Sequence, residues 1–278
     1  MAKGIKEHIH SLLEKGLRQD GRKLLDYRKD ISVEYGISPK SAEGSARVRI
    51  GETEVVAGVK LGMSTPYPDQ QDSGSIMFGA ELSPIASDRF EMGPPSIESI
   101  EIARVVDRGI RESGAIDFKK LCVKKGEKVW QICVDMYPIN DAGNLRDACS
   151  LAALAAMKDA KFPEFDKVTG IVNYEKKTKT SLPLTDEPIE VTVLKINNDF
   201  VIDPSCEEEE FLDARLTTAF LKDGAICAMQ KGGKGALSTE DIGKMVKIAS
   251  DNVKLLRKAL WKLQNTKKQE SLVHVHCK

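Results

Sequence analysis

Three arginines recur at intervals of four and three in one short stretch, EIARVVDRGIRES, at Arg104, Arg108 and Arg111. At about 100° per residue they fall on one side of a helix, while Ile102, Val105, Val106 and Ile110 gather on the other. Guanidinium is planar, permanently charged and forked, which suits it to phosphate oxygens. Such a stripe can grip a polyanion backbone. It also fits a solvated helix face held by Glu101–Arg104 and Asp107–Arg111 pairs, each worth about 0.2–0.5 kcal/mol. Two details favour binding: all three residues are arginine in a chain otherwise rich in lysine, and a long Pro/Gly-rich connection runs directly before them.

The chain has 278 residues, with 42 Lys+Arg against 42 Asp+Glu. With no net positive charge, any polyanion must be held by a local patch. His8, His10, His274 and His276 lie only at the two ends, so no Ser/His/Asp or Cys/His nucleophile set is available in the body. The HVHC end reads as a tail that chelates metal by chance at most. Cys122, Cys133, Cys149, Cys206, Cys227 and Cys277 form no CxxC pair and are expected as buried, reduced thiols of a cytoplasmic protein. QKGGKGALS (230–238) does not match GxxxxGK[ST] and reads as a turn into the last helix. In RQDGR, Arg18 and Arg22 are suited either to RNA or to carboxylates beside an Asp20–Gly21 turn. No apolar run approaches the roughly 20 residues of a membrane span, and no signal-peptide core opens the chain.

The elements that position these groups are legible. Ile5, Ile9, Leu12 and Leu13 mark an opening helix that Gly16 stops. ISVEYGI and ARVRIGETEVVAGVKLG alternate as strands, the second folding back at Gly51–Glu52. Residues 64–95 read as a long connection. Ser96 caps the arginine helix after Pro94 and Pro95. EKVWQICVDMYPI follows as a buried strand and LRDACSLAALAAMKDA as a closely packed helix. Residues 166–181 suggest a seam, after which hairpins across Asn197–Asn198 and Asp223–Gly224 precede a long amphipathic helix. Ser238 and Asp241 resemble its capping box, and Ile242, Met245, Ala249, Val253, Leu256 and Leu260 mark its buried face. The fold class is α+β, with two related halves of hairpin-rich sheet covered by helices: a first domain at 1–165, a second at 166–267 and a disordered tail at 268–278.

Four stretches taken together resemble the RNase PH family. GLRQDGRKLLDYR (16–28) is similar to that family's R-x-D-G-R opening, and GSARVRIGETEVVAGV to the hairpin that follows it. VDMYPINDAGNLRDACSLAALAA is similar to the family's strand, phosphate loop and small-residue helix, and DFVIDPSCEEEEFLDA to its acidic second-half segment. The stretches come in family order and span nearly the whole chain.

The resemblance implies an RNase PH-like fold and phosphorolytic 3′→5′ exoribonuclease chemistry, in which inorganic phosphate attacks the terminal phosphodiester. That reaction needs a cradle for phosphate and a carboxylate near the scissile bond. Active members carry G-G-T-R-[ST]-A in the cradle. Here the matching positions are Ala142, Gly143, Asn144, Leu145, Arg146, Asp147 and Ala148, without the hydroxyls and with Asp147 placed to repel phosphate. In the acidic segment, counting from Asp203, the family's next aspartate falls on Glu209 and a further one on Arg215. Glutamate can bind a metal, but a misplacement near 1 Å costs about 10²-fold.

Within the family the chain resembles the non-catalytic RNase PH-like subunits of the archaeal exosome. That implies no catalytic residue, metal ligand or cofactor in this chain. Inorganic phosphate and Mg2+ would serve a catalytic RNase PH-like partner alternating with it in a hetero-hexameric ring, together with RNA-binding cap proteins. Arg104 and Arg108, with Arg111 as an extension, would hold single-stranded RNA, and Arg89 would lie nearby. The alternatives are a self-sufficient phosphorolytic exoribonuclease and a small-molecule phosphotransferase.

Overall fold

The computed structural model describes residues 2–166 and 169–262. The expected tail at 268–278, its HVHC end and Cys277 lie outside the described residues. In chain order the elements are α1 (Ala2–Leu13), β1 (Ser32–Tyr35), β2 (Gly44–Ile50), β3 (Thr53–Ser64), β4 (Ser75–Ala80), α2 (Ile97–Glu112), β5 (Cys122–Lys124) and β6 (Lys128–Asn140). They continue with α3 (Leu145–Asp159), β7 (Lys161–Phe165), β8 (Val172–Ser181), β9 (Ile189–Ile196), β10 (Asp199–Ile202), α4 (Cys206–Glu210), β11 (Ala214–Phe220), β12 (Ile226–Gly232) and α5 (Thr239–Lys262).

A mixed sheet of order β1-β2-β3-β6-β4, with β5 also on β6, organises the first half. The β2–β3 hairpin turns at Gly51, whose φ of +57° is the left-handed conformation a tight turn demands. The 64–95 connection is not free of regular structure, because β4 runs parallel to β6 within it. Its six residues sit between turn residues, and the strand that pairs with it lies far along the chain, so no local periodicity exposed it. Likewise the 166–181 seam contains β8, which joins β7 in a solvated two-stranded ribbon.

The second sheet has the order β10-β9-β11-β12. Its two hairpins turn where the Asn and Asp-Gly signals place them, with Asn197 and Gly224 at positive φ. Met245, Ala249, Leu256 and Leu260 of α5 are fully buried on this half, and Ser238 and Asp241 cap the helix reciprocally at 3.1 and 3.0 Å. Ile9 and Leu13 of α1 form a separate small cluster with Leu194, Ile196 and Val201.

Helix α3 holds the halves together. It lies against β2, β3 and β6 and against β9, with every residue from Leu145 to Met157 buried. Its alanines allow this by letting backbones approach closely. At Gly44 of β2 the approach is complete, since a Cβ there would come within 2.3 Å of the Ala156 carbonyl. Helix α2 begins at Ser96, whose hydroxyl accepts from the Ser99 amide at 3.1 Å. Its Ile102, Val105, Val106 and Ile110 are buried as the periodicity requires, and it rests on β4, α3 and β12. The arginine face is thereby aimed outward from the seam between the sheets.

Among the described cysteines only Cys149 is buried; Cys122, Cys133, Cys206 and Cys227 are free but partly exposed, against the expectation of buried thiols. Among the described residues no helix is long and apolar enough to cross a membrane.

Candidate functional site

Arg104, Arg108 and Arg111 are all exposed on α2, but the fold treats them differently. Arg111 is engaged: it donates twice to Asp107, at 3.0 and 2.6 Å, and to the Ile76 carbonyl at 3.0 Å. Arg108 donates one bond, at 2.9 Å, to the side-chain oxygen of Gln230 on β12. Arg104 pairs with no group among the described residues. The Glu101–Arg104 pair that helical spacing allows is absent. Glu101 turns instead to Arg215 of β11 and to Arg146 of α3, the latter at 3.3 Å. Two guanidinium groups in a half-buried setting hold a carboxylate better than one solvated neighbour does. Burial raises the Glu101 pKa, but the two arginines outweigh it and keep the carboxyl below its ordinary range. The consequence is an unpaired Arg104 guanidinium facing solvent.

Behind this ridge lies the loop from Asp141 to Asp147. Gly143 has a φ of +92°, and a Cβ there would come within 2.3 Å of the Pro204 carbonyl, so the loop is pressed onto the start of α4. The next residue, Asn144, is left-handed at φ +59° and opens α3 without a side-chain cap. Its backbone amide donates to the carboxylate of Glu209 at 3.2 Å. Glu209 also stands 3.8 Å from Arg146. Burial raises its pKa, with Arg146 opposing and Asp141 adding to the rise. The anion at this helix N-terminus is therefore part of the protein.

Asp147 is not where the sequence places it. It is 1% exposed, turned into the interior, and accepts from the Tyr27 hydroxyl at 2.8 Å, the Thr192 amide at 2.9 Å and the Asn144 side chain at 3.2 Å. Burial pushes its pKa up to about 7, against those three donors. The acid at the loop's amide is thus Glu209 rather than Asp147.

Asp203, fully buried and left-handed at φ +46°, is the hub beneath the loop. Arg28 grips it in a fork at 2.8 and 3.0 Å, Arg22 reaches it at 2.9 Å and Asn144 donates at 2.9 Å. Arg28 also donates to the Ala142 and Gly143 carbonyls at 2.8 and 3.0 Å, pinning the loop. Arg18 is bound to Glu208 and to the Ile202 and Asp203 carbonyls. The arginines of RQDGR are thus consumed by carboxylates. Arg89 is likewise paired, with Asp141 at 2.6 Å and Glu98 at 3.3 Å, beside a cleft of about 730 Å³ at the start of α2.

No set of three His, Cys, Asp or Glu side chains able to hold a metal occurs among the described residues. Both Asp203 oxygens are held by arginine, Arg146 stands between Glu101 and Glu209, and Arg215 holds Glu101. Sequence reasoning missed Gln230 and the Arg146–Glu101–Arg215 cluster, for which no local signal exists.

Residues 28–163 match the model of the 3′ exoribonuclease family, domain 1, and residues 186–252 match domain 2 of the same family. The chain belongs to the 3′ exoribonuclease family. Among curated members of the family it is 45% identical to the exosome complex component Rrp42 of Methanocella arvoryzae, over 93% of this chain and 96% of that protein. It is 44% identical to the component of the same name from Methanothermobacter thermautotrophicus, over 89% and 91%. Among solved structures it resembles a chain of the Archaeoglobus fulgidus exosome with RNA bound to the active site, with a TM-score of 0.84, 40% identity and coverage of 92% and 98%. A chain of an archaeal exosome core superposes with a TM-score of 0.81 at 37% identity, over 93% and 97%. The family's RNase PH-like α+β fold is the one described above.

Proposed function

We propose that this 3′ exoribonuclease family member is a non-catalytic subunit of an exosome ring, holding the RNA backbone for the active site of a catalytic RNase PH-like neighbour. One observation carries the reading: the loop amide that a phosphate cradle would offer at Asn144 is already bound by the Glu209 carboxylate. The surrounding charges, Arg146 and Arg215 against Glu101 and Glu209, compensate one another and leave no uncompensated cation for phosphate there. Arg104 and Arg108 point out of the same region with capacity to spare, and Arg111 is the weaker extension because Asp107 holds it. The relatives named as exosome components support membership of the ring. In this reading inorganic phosphate and Mg2+ serve the alternating catalytic partner, RNA-binding cap proteins complete the assembly, and the complex works in the cytoplasm on single-stranded RNA.

The test is phosphate-dependent degradation of a single-stranded RNA by the purified chain, by the catalytic partner, and by the two mixed. No activity from the chain alone and full activity in the mixture are expected. Phosphorolysis by the lone chain would overturn the assignment and make it a self-sufficient exoribonuclease.

A further inference from the structure

Beneath Arg108 lies a carboxyl group that the reading above does not use. Glu190, on β9, is 4% exposed and its Oε2 has no hydrogen-bond partner. Ser150 of α3 hydrogen-bonds the side chain, and Oε1 is pressed against α2 at Gly109, where an added Cβ would lie 2.0 Å away. Glu190, Val105, Arg108, Thr217 and Gln230 line one small crevice between α2 and the second sheet. The Arg108–Gln230 bond at 2.9 Å lies at this crevice, within reach of the surface. An exposed cation and a buried acid with one unpartnered oxygen thus line a single crevice.

The geometry points to Glu190 as a proton-operated latch on Arg108. Protonated, Glu190 leaves the guanidinium on Gln230 at the surface; ionised, it draws the guanidinium off Gln230 to the mouth of the crevice and away from RNA. The driving force is the high cost of a buried carboxylate without a counter-charge, which a charge-assisted bond to arginine relieves. Among the described residues, the titratable and charged groups around Glu190 are Arg108, which shares its crevice from α2, Asp147 and Cys149 from α3, and Cys227 from β12, while β11 presents Thr217. Of these only Arg108 is a cation, so ionisation has one partner to recruit. Burial, opposed by Ser150 and reinforced by Asp147, pushes the Glu190 pKa up to about 8, so the proton is lost within an accessible range. The effect on RNA rests on the proposed role of Arg108; the motion of Arg108 does not.

Two measurements separate the claims. In the full chain, the Arg108 Nε–Hε resonance is followed from pH about 6.5 to about 9, spanning the Glu190 value. It is expected to shift in the wild type and to stay constant in Glu190→Gln, which keeps the shape of the protonated acid. An Arg108 signal that does not move in the wild type overturns the latch. In the assembled exosome core, affinity for a labelled single-stranded oligoadenylate is measured at both ends of that range at fixed ionic strength. The wild type is expected to lose on the order of tenfold more affinity at high pH than Glu190→Gln, the worth of one charged hydrogen bond. If Arg108→Gln weakens RNA but the wild type and Glu190→Gln track each other, the latch is wrong. If Arg108→Gln leaves affinity unchanged at the lower pH, the RNA-holding reading fails instead, and the resonance alone judges the latch.

Discussion

The Glu209 carboxylate accepts a hydrogen bond at 3.2 Å from the backbone amide of Asn144, at the first turn of the buried helix α3. Glu209 comes from the far side of the chain, 65 residues on, and supplies the helix with the anion its N-terminus favours. Replacement Glu209→Ala leaves that amide and Arg146 under-paired in a nearly closed site. Urea unfolding is expected to show a loss of about 1–3 kcal/mol.

Arg104→Glu with Arg108→Glu should leave ring assembly intact, because neither side chain supports the core. RNA affinity should fall, and the slope of log affinity against log salt should flatten by roughly one unit for each phosphate no longer neutralised. Arg111→Gln, removing a group already held by Asp107, should change the slope far less. Affinity and salt slope unaltered in the double variant would remove α2 from the RNA path. No base preference is expected from binding to the backbone.

Asp203→Asn strips the counter-charge from Arg22 and Arg28 together. Loss of one partner in a buried pair costs about 3–5 kcal/mol, and a drop of that order is expected in denaturant unfolding. Burial alone would raise the Asp203 pKa, but the Arg28 bonds and charge and the Asn144 bond prevail and hold it below 3.8. A depressed carboxyl stabilises fully above its unfolded value and loses that contribution as pH falls through the folded one. Wild-type stability should therefore decline in acid below that value, and Asp203→Asn should show less of this decline.

Asp147 and Glu190 act with the opposite sign. Burial raises them from 3.8 and 4.5 to about 7 and about 8, so the folded state binds their protons more tightly than the unfolded chain does. Stability is then greatest below the unfolded values and falls as pH rises toward the folded ones. The urea midpoint should drop between pH about 5 and about 8, and Glu190→Gln should flatten the upper part of that drop. A flat wild-type profile would contradict the burial-driven shifts.

The outward aim of Arg104, Arg108 and Arg111 was legible from four buried residues on one helix, and the helix began at the Ser96 cap the sequence offered. The departures at Glu209 and Arg215 were legible too, as residue types at counted positions. Their consequences were not. Spacing allowed Glu101 to pair with Arg104; in the structure it pairs with Arg215, 114 residues away, which leaves Arg104 unpaired. Asp147 read as the acid facing phosphate, yet it is turned inward to Tyr27, 120 residues back along the chain.

The division follows from the range of the forces. Helix periodicity, the Ser96 and Ser238 caps, and the turns at Gly51, Asn197 and Gly224 depend on residues within a few positions of one another, so the chain by itself determined them. Strand β4 needed a parallel partner more than fifty residues away, and Glu190 became a buried acid only because α2 closed over β9 at Gly109. Those outcomes, with the binding of Glu209 at Asn144, were decided by the tertiary structure. Only folding brings such distant groups into a low-dielectric interior, where each must find a partner.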